Sequence, residues 1–348
     1  RRIQGTSTDV APIQGGWKEL GRTTTGSTGD AITVSSLADK RYYMVLSDAI
    51  QDGVSNVSAQ KRVGNGSLDT GSNYSVRNSL DGGADGTTGS LTFIDASLAG
   101  ASSGGTHIFD VGYWSNLSSK AKLYQGWQTN TQAAGAGTSG RRREITAKWS
   151  NTSAVIDTIG TFNDDGGDYS SGSEVVVLGW DPADTHTTNF WEELASVELG
   201  SAGDEISSGT ITAKKYLWVQ CYTKSSGDQR QFMRFNNDTG SNYARRWSEN
   251  GASDGTSVSQ TACNIFGLTN SATGSFTNTF IVNNSANEKL LMSTGLNGGT
   301  ATAGYAPNRG ENVNKWANTS SQITEIDIIN PESGNFDTGS ILKVWGSD

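Results

Sequence analysis

Asp69-Thr70-Gly71-Ser72-Asn73-Tyr74 recurs as Asp238-Thr239-Gly240-Ser241-Asn242-Tyr243, at an offset of 169 (238 − 69). The register holds outward from both copies. Arg77 answers Arg246, and Asp85-Gly86-Thr87 answers Asp254-Gly255-Thr256. Further on, Lys148-Trp149-Ser150-Asn151-Thr152-Ser153 matches Lys315-Trp316-Ala317-Asn318-Thr319-Ser320, now offset by 167 (315 − 148). Gly172-Ser173 with Val175-Val176-Val177-Leu178-Gly179 matches Gly339-Ser340 with Ile341-Leu342-Lys343-Val344-Trp345-Gly346. Matches that keep their order with so little drift mean an internal duplication. A duplicated module carries what the whole module has, such as a binding face. One unique active site is harder to reconcile with it.

The repeats set the domain boundaries. Residues 1–15 form a polar lead-in, residues 16–180 the first module, residues 181–190 a turn-rich linker and residues 191–348 the second module. Each module, of about 165 residues, is long enough to bury a core of its own. The modules open alike, on Trp17-Lys18-Glu19-Leu20 and Trp191-Glu192-Glu193-Leu194. Short aromatic and β-branched runs follow, such as Tyr42-Tyr43-Met44-Val45-Leu46 and Tyr216-Leu217-Trp218-Val219. Ile323-Thr324-Glu325-Ile326-Asp327-Ile328 alternates with the period of a half-buried strand. Gly, Asn, Asp and Ser punctuate these runs, and 44 glycines among 348 residues oppose long helices. The expected fold is all-β: two tandem β-sandwich, jelly-roll-like modules of about eight strands each.

Composition narrows the function. The net charge is −9 and the pI about 4.8, which excludes the basic footprint of a nucleic-acid binder. Arg141-Arg142-Arg143 is then expected to be a solvated loop or a subunit contact, with a phosphate or nucleic-acid contact the lesser alternative. No apolar run approaches the ~18 residues of a membrane span. No cofactor motif is present. Cys221 and Cys263 both lie in the second module, outside the repeated design, and are expected as buried free thiols. His107 and His186, the two histidines, are expected in polar loops and solvated, leaving little material for a zinc site or a Ser-His-Asp triad.

Three constellations could carry chemistry or binding. Asp-Thr-Gly-Ser is the signature around the carboxylates of pepsin-like aspartic proteases, bilobal β proteins with one motif per lobe. Here both flanks are polar and glycine-rich, and Arg77 and Arg246 stand nearby. That context suits a turn with an ionised aspartate better than a proton-sharing dyad. Asp69, Gly71, Asn73, Tyr74 and Arg77, with Asp238, Gly240, Asn242, Tyr243 and Arg246, are therefore expected to be a structural motif, with the protease a remote alternative. Asp164-Asp165-Gly166-Gly167-Asp168 is a carboxylate-dense loop, and Asp164, Asp165 and Asp168 are candidate Ca²⁺ ligands. It lacks the EF-hand spacing, and an ordinary acidic turn is the simpler reading. Tyr113, Trp114, Tyr124 and Trp127 are aromatic groups that could stack on sugar rings, although core packing is the commoner use of such residues.

A longer pattern points to a family. Met233-Arg234-Phe235-Asn236-Asn237-Asp238-Thr239-Gly240-Ser241-Asn242-Tyr243, with Arg246 beyond it, resembles a motif of virion proteins of tailed phages, common among marine and cyanobacterial viruses. The second module also has that family's opening Trp191-Glu192-Glu193-Leu194, its middle strand Tyr216-Leu217-Trp218-Val219 and its closing stretch from Asn335-Phe336 to Gly346. The first module departs from it, with Lys61-Arg62-Val63-Gly64-Asn65-Gly66 in place of the Arg-Phe-Asn core. The resemblance implies a non-enzymatic virion component, such as a capsid decoration, a fibre or a tail-associated protein. Its partners would be other virion proteins and further copies of itself. A carbohydrate-binding adhesin that meets a host surface glycan is the alternative reading.

Overall fold

The structure is a computed structural model. It describes residues 13–14, 16–53, 55–98, 106–186, 188–225, 227, 229–267, 274–299 and 302–348. Among the described residues there is no helix. The strands of the first half are β1 (Ile13–Gln14), β2 (Lys18–Thr24), β3 (Ala31–Val34), β4 (Tyr42–Ile50), β5 (Gln60–Asn65), β6 (Ser67–Leu68), β7 (Tyr74–Leu80), β8 (Gly86–Leu91), β9 (His107–Ser115), β10 (Lys122–Asn130), β11 (Arg142–Trp149), β12 (Thr158–Phe162) and β13 (Glu174–Trp180). Those of the second are β14 (Thr185–His186), β15 (Glu192–Glu198), β16 (Glu205–Ser207), β17 (Tyr216–Thr223), β18 (Gln231–Phe235), β19 (Tyr243–Glu249), β20 (Gly255–Gln260), β21 (Cys263–Phe266), β22 (Ser275–Val282), β23 (Lys289–Asn297), β24 (Asn308–Trp316), β25 (Ile326–Ile329) and β26 (Ile341–Ser347).

Each half is a sandwich of an eight-stranded and a four-stranded sheet. The large sheets run β2-β13-β4-β9-β10-β11-β7-β8 and β15-β26-β17-β22-β23-β24-β19-β20, the same path step for step. The small sheets are β3-β12-β5-β6 and β16-β25-β18-β21. Registers repeat as well: Lys122 faces Trp149 as Lys289 faces Trp316, and Tyr43 faces Trp114 as Leu217 faces Ile281. Even the irregularities are shared. Leu20 and Leu194 are the unpaired residues of equivalent bulges in β2 and β15, which twist the sheet edge. Each module thus holds more strands than the eight expected, because several small-sheet strands are only two to four residues long.

Two cores lie inside the sandwiches. The first gathers Val34, Tyr43, Val63, Tyr74, Trp114, Tyr124, Ile145 and Trp149, the second Leu217, Met233, Phe235, Tyr243, Leu291, Trp316 and Ile328. Packing differs where the repeats differ. A Cβ on Gly112 or Gly126 would lie 2.4 or 2.5 Å from the Tyr124 ring. The ring lies flat over both, so they must be glycine. In the second module Leu291 replaces that tyrosine, and the freed space is taken by Thr279 and Ser293, whose hydroxyls bond at 2.9 Å.

A third core joins the modules. Met44, Leu46, Phe109, Val111, Val176 and Leu178 on the outer face of one large sheet meet Tyr216, Val282, Leu290, Met292 and Val313 on the outer face of the other. The chain is therefore a four-layer stack, small sheet to large sheet to large sheet to small sheet. The central strands are covered on both faces, which is why Val175-Val176-Val177-Leu178 is apolar without alternation. Described residues around the linker pack as well: β14 pairs with β1, and Phe190 and Trp191 enter the seam.

Candidate functional site

The duplicated motif is a locked turn. Asp69 accepts the Gly71 N–H at 2.8 Å, the Asn73 side-chain amide at 2.8 Å and the Trp149 indole N–H at 2.6 Å. Asp238 accepts the same set from Gly240 at 2.8 Å, Asn242 at 2.9 Å and Trp316 at 2.7 Å. The Tyr74 and Tyr243 hydroxyls close each turn onto the Asp69 and Asp238 carbonyls, at 3.0 and 3.1 Å. Burial pushes both carboxyls up, but the donors outweigh it, with Trp149 leading at Asp69 and Trp316 at Asp238, and hold them below the usual range. Each aspartate is thus an ionised acceptor engaged within its own module. One pattern escapes the sequence reading: Lys122 and Lys289 are buried beneath Trp149 and Trp316, each donating to two backbone carbonyls. The recurring Lys-Leu pair at the 167-residue offset (289 − 122) was its only signal.

The charged groups of the seam are the main departure from expectation. His107 is not solvated. It is buried in β9, with Nδ1 2.6 Å from Asp48 Oδ1 and Nε2 2.7 Å from the Glu288 carbonyl of the second module. Burial raises the Asp48 carboxyl, but His107 and then Lys215 outweigh it and leave it below the usual range. Glu174 is treated alike: burial is overcome by Lys215, Thr24, Arg22 and Tyr216, whose hydroxyl donates to it at 2.9 Å. His186 is half-buried in β14 rather than in a loop. The arginine run is a contact between modules. Arg142 grips Asp254 with Nε at 2.9 Å and Nη2 at 2.7 Å, while Arg141 and Arg246 share Asp81 at 2.8 and 3.3 Å.

Beside these ion pairs the seam opens into a cavity of about 120 Å³. Its walls are Tyr113, Trp127 and Glu144 from the first module and Asn278, Phe280 and Glu311 from the second. Trp127 meets Tyr113 edge-on, with ring centroids 6.3 Å apart. Glu311 is raised by burial, opposed by Arg309 and reinforced by Glu144. Its twin Glu144 is 39% exposed, so the mouth reaches solvent. The strand pleat divides the four candidate stacking residues. Tyr113 and Trp127 face this cavity, whereas Trp114 and Tyr124, on the opposite face, are buried in the first core, with ring centroids 5.0 Å apart. Trp114 and Tyr124 are therefore not available to a glycan.

The acidic loop is held as a turn. Asp164 accepts from Ser58 Oγ at 2.5 Å and Gln60 Nε2 at 3.0 Å. Asp165 is raised by burial and by Asp164, and Asp168 by its hydrogen bond with Asp30, by burial and by the charges of Asp30 and Asp52. Among the described residues no three His, Cys, Asp or Glu side chains gather as metal ligands. Cys221 and Cys263 are free and buried.

Comparison with known proteins adds little. No family model and no curated protein matches the chain. Among solved structures, domains LG4-5 of the mouse laminin alpha1 chain match 99% of this chain and 92% of their own at 10% identity, with a TM-score of 0.19. The LG1-3 region of the laminin alpha2 chain matches 91% of this chain and 64% of its own at 8% identity, with a TM-score of 0.18.

Proposed function

We propose that this chain is a structural or accessory component of a virion, a capsid decoration, fibre or tail-associated part, that works by protein–protein contact and not by catalysis. The observation that carries the reading is the seam. Two copies of one sandwich are welded through an apolar core and buried ion pairs into a single four-layer body. Such a body suits a load-bearing or surface-covering part. The aspartates of the one concrete catalytic alternative support it too, since each is engaged in holding a turn. Quantitative mass spectrometry of purified particles tests the proposal. A fixed copy number that matches a capsid, fibre or tail symmetry is expected. A chain absent from particles, or present in variable trace amounts, would overturn it.

A second reading, carbohydrate binding, is favoured by the cavity where Tyr113 and Trp127 stand beside Glu144, Glu311 and Asn278. An indole face flanked by carboxylates and an amide suits a sugar ring and its hydroxyls. Glycan-array binding that is lost in Trp127→Ala and kept in Gln260→Ala supports it. Binding that survives Trp127→Ala would place any sugar elsewhere.

A further inference from the structure

The duplication reveals a mismatch in how the two modules use the same surface. Strand pairing superimposes Tyr42 on Tyr216, Leu123 on Leu290, Lys148 on Lys315, Arg77 on Arg246 and Asp85 on Asp254, and each pair is identical in residue type. In the second module all five serve the seam. Leu290 and Lys315 are 0% exposed, Tyr216 1% and the Asp254 side chain 2%, while Arg246 binds Asp81. In the first module the seam covers none of them. Leu123 is 57% exposed, the Arg77 and Asp85 side chains 59% and 54%, Lys148 is exposed and Tyr42 half-buried.

The seam is therefore not a two-fold contact, which would use the same residues on both sides. The end of the first large sheet that carries Asp48, His107 and Arg142 covers the opposite end of the second. Two half-faces are left over. The first module keeps an uncovered counterpart of the half by which the second module binds, with Ser115, Gln125 and Thr146 in place of Val282, Met292 and Val313. The second module keeps an uncovered counterpart of the half by which the first module binds: Arg309 stands where Arg142 stands and Phe276 where Phe109 stands, while Gln220, Asn278 and Lys343 replace Leu46, Val111 and Val176. Arg309 is 64% exposed and pairs with Glu311 at 3.0 Å, and Leu296 and Tyr222 are exposed at the same end.

We propose that the uncovered half-face of the first module docks on the uncovered half-face of the second module in another copy of this chain. The contact follows, head to tail, the geometry of the one already made inside the chain, with polar side chains at six of the eleven positions that are apolar in the seam. Asp85 meets Arg309 of the second copy as Asp254 meets Arg142, and Leu123 is covered as Leu290 is. A head-to-tail contact is not used up by one partner, so it closes a ring or extends a filament. Asn250 and Ile341 stand where Asp81 and Glu174 stand. The contact between chains thus has fewer ion pairs than the seam and responds to concentration. The inference extends the building-block reading and names the partner, but it does not depend on where the chain resides.

Sedimentation velocity over a concentration series tests it on the full chain. The expected result is a weight-average sedimentation coefficient that rises with concentration, to a closed ring or beyond it. Leu123→Asp, at an exposed position, should weaken association roughly tenfold or more without lowering the melting temperature. Asp85→Arg and Arg309→Asp should each weaken it, and the two together in one chain should restore it. A chain that stays monomeric throughout would overturn the proposal. So would charge swaps that fail to rescue, since those point to two first-module faces meeting each other. Failure here would leave contact with other proteins, and hence the structural reading, untouched.

Discussion

Asp85 and Asp254 are one residue in two environments, and the duplication supplies its own control. Asp254 is 2% exposed and takes Arg142 at 2.7 and 2.9 Å, with Arg246 at 3.8 Å. Asp254→Ala would strand the Arg142 guanidinium, itself 8% exposed, with Glu144 at the cavity mouth as its remaining partner. Breaking a buried pair costs about 3–5 kcal/mol, because the surviving charge is left without compensation. Glu144 softens the loss, so the lower end, about 3 kcal/mol, is expected. Asp85→Ala removes a single surface contact of 3.2 Å to Arg77, worth at most about 1 kcal/mol. The assay is equilibrium urea unfolding followed by tryptophan fluorescence, at concentrations low enough to keep the chain monomeric. With a slope near 3 kcal/mol/M, the Asp254 variant should lose about 1 M in midpoint, and the Asp85 variant a third of that or less. Destabilisations that agree within about 0.5 kcal/mol would refute the claim that one aspartate is built into a seam and the other is not.

Other consequences follow from the same geometry. Trp149→Phe and Trp316→Phe each delete a hydrogen bond to a carboxylate and should cost about 1.5–3 kcal/mol by thermal or urea unfolding, similarly in both modules. Folding depresses the carboxyls of Asp69, Asp238, Asp48 and Glu174. Their stabilisation is thus complete above the unfolded carboxyl pKa of about 4 and is lost as pH falls through the lower folded values. Melting temperatures measured from pH 6 down to pH 2 should drop mainly below pH 4, and more gently in Asp238→Asn. Burial raises the thiols of Cys221 and Cys263, so neither should react with a thiol reagent in the native chain, and both should react in urea.

The sandwich architecture was legible because the Asp-Thr-Gly-Ser-Asn-Tyr turn and the Lys-Trp strand end recur in order, and because short apolar runs sit between turn residues. The two-residue and three-residue strands of the small sheets, such as Ser67–Leu68 and Glu205–Ser207, are too short to show a period. The seam was harder to see. Val175-Val176-Val177-Leu178 reads as a strand buried on both faces, but the sequence does not say what covers the second face. For the same reason alternation puts Tyr113 opposite Trp114 without saying which looks into a cavity. The burial of His107 is not legible locally, because its partners are distant in sequence: Asp48 lies in β4 and the Glu288 carbonyl in the other module. The Arg141-Arg142-Arg143 run shows the limit of local reading, since its carboxylates Asp81 and Asp254 lie far along the chain.

Small-angle X-ray scattering from the dilute monomer puts the docked stack to the most direct test. Modules welded through their large sheets form one compact body, with a radius of gyration of about 20 Å for a chain of this length and a distance distribution with a single peak. A radius near 27 Å, the value expected for two such modules touching only end to end, with a second shoulder in the distribution, would contradict the account.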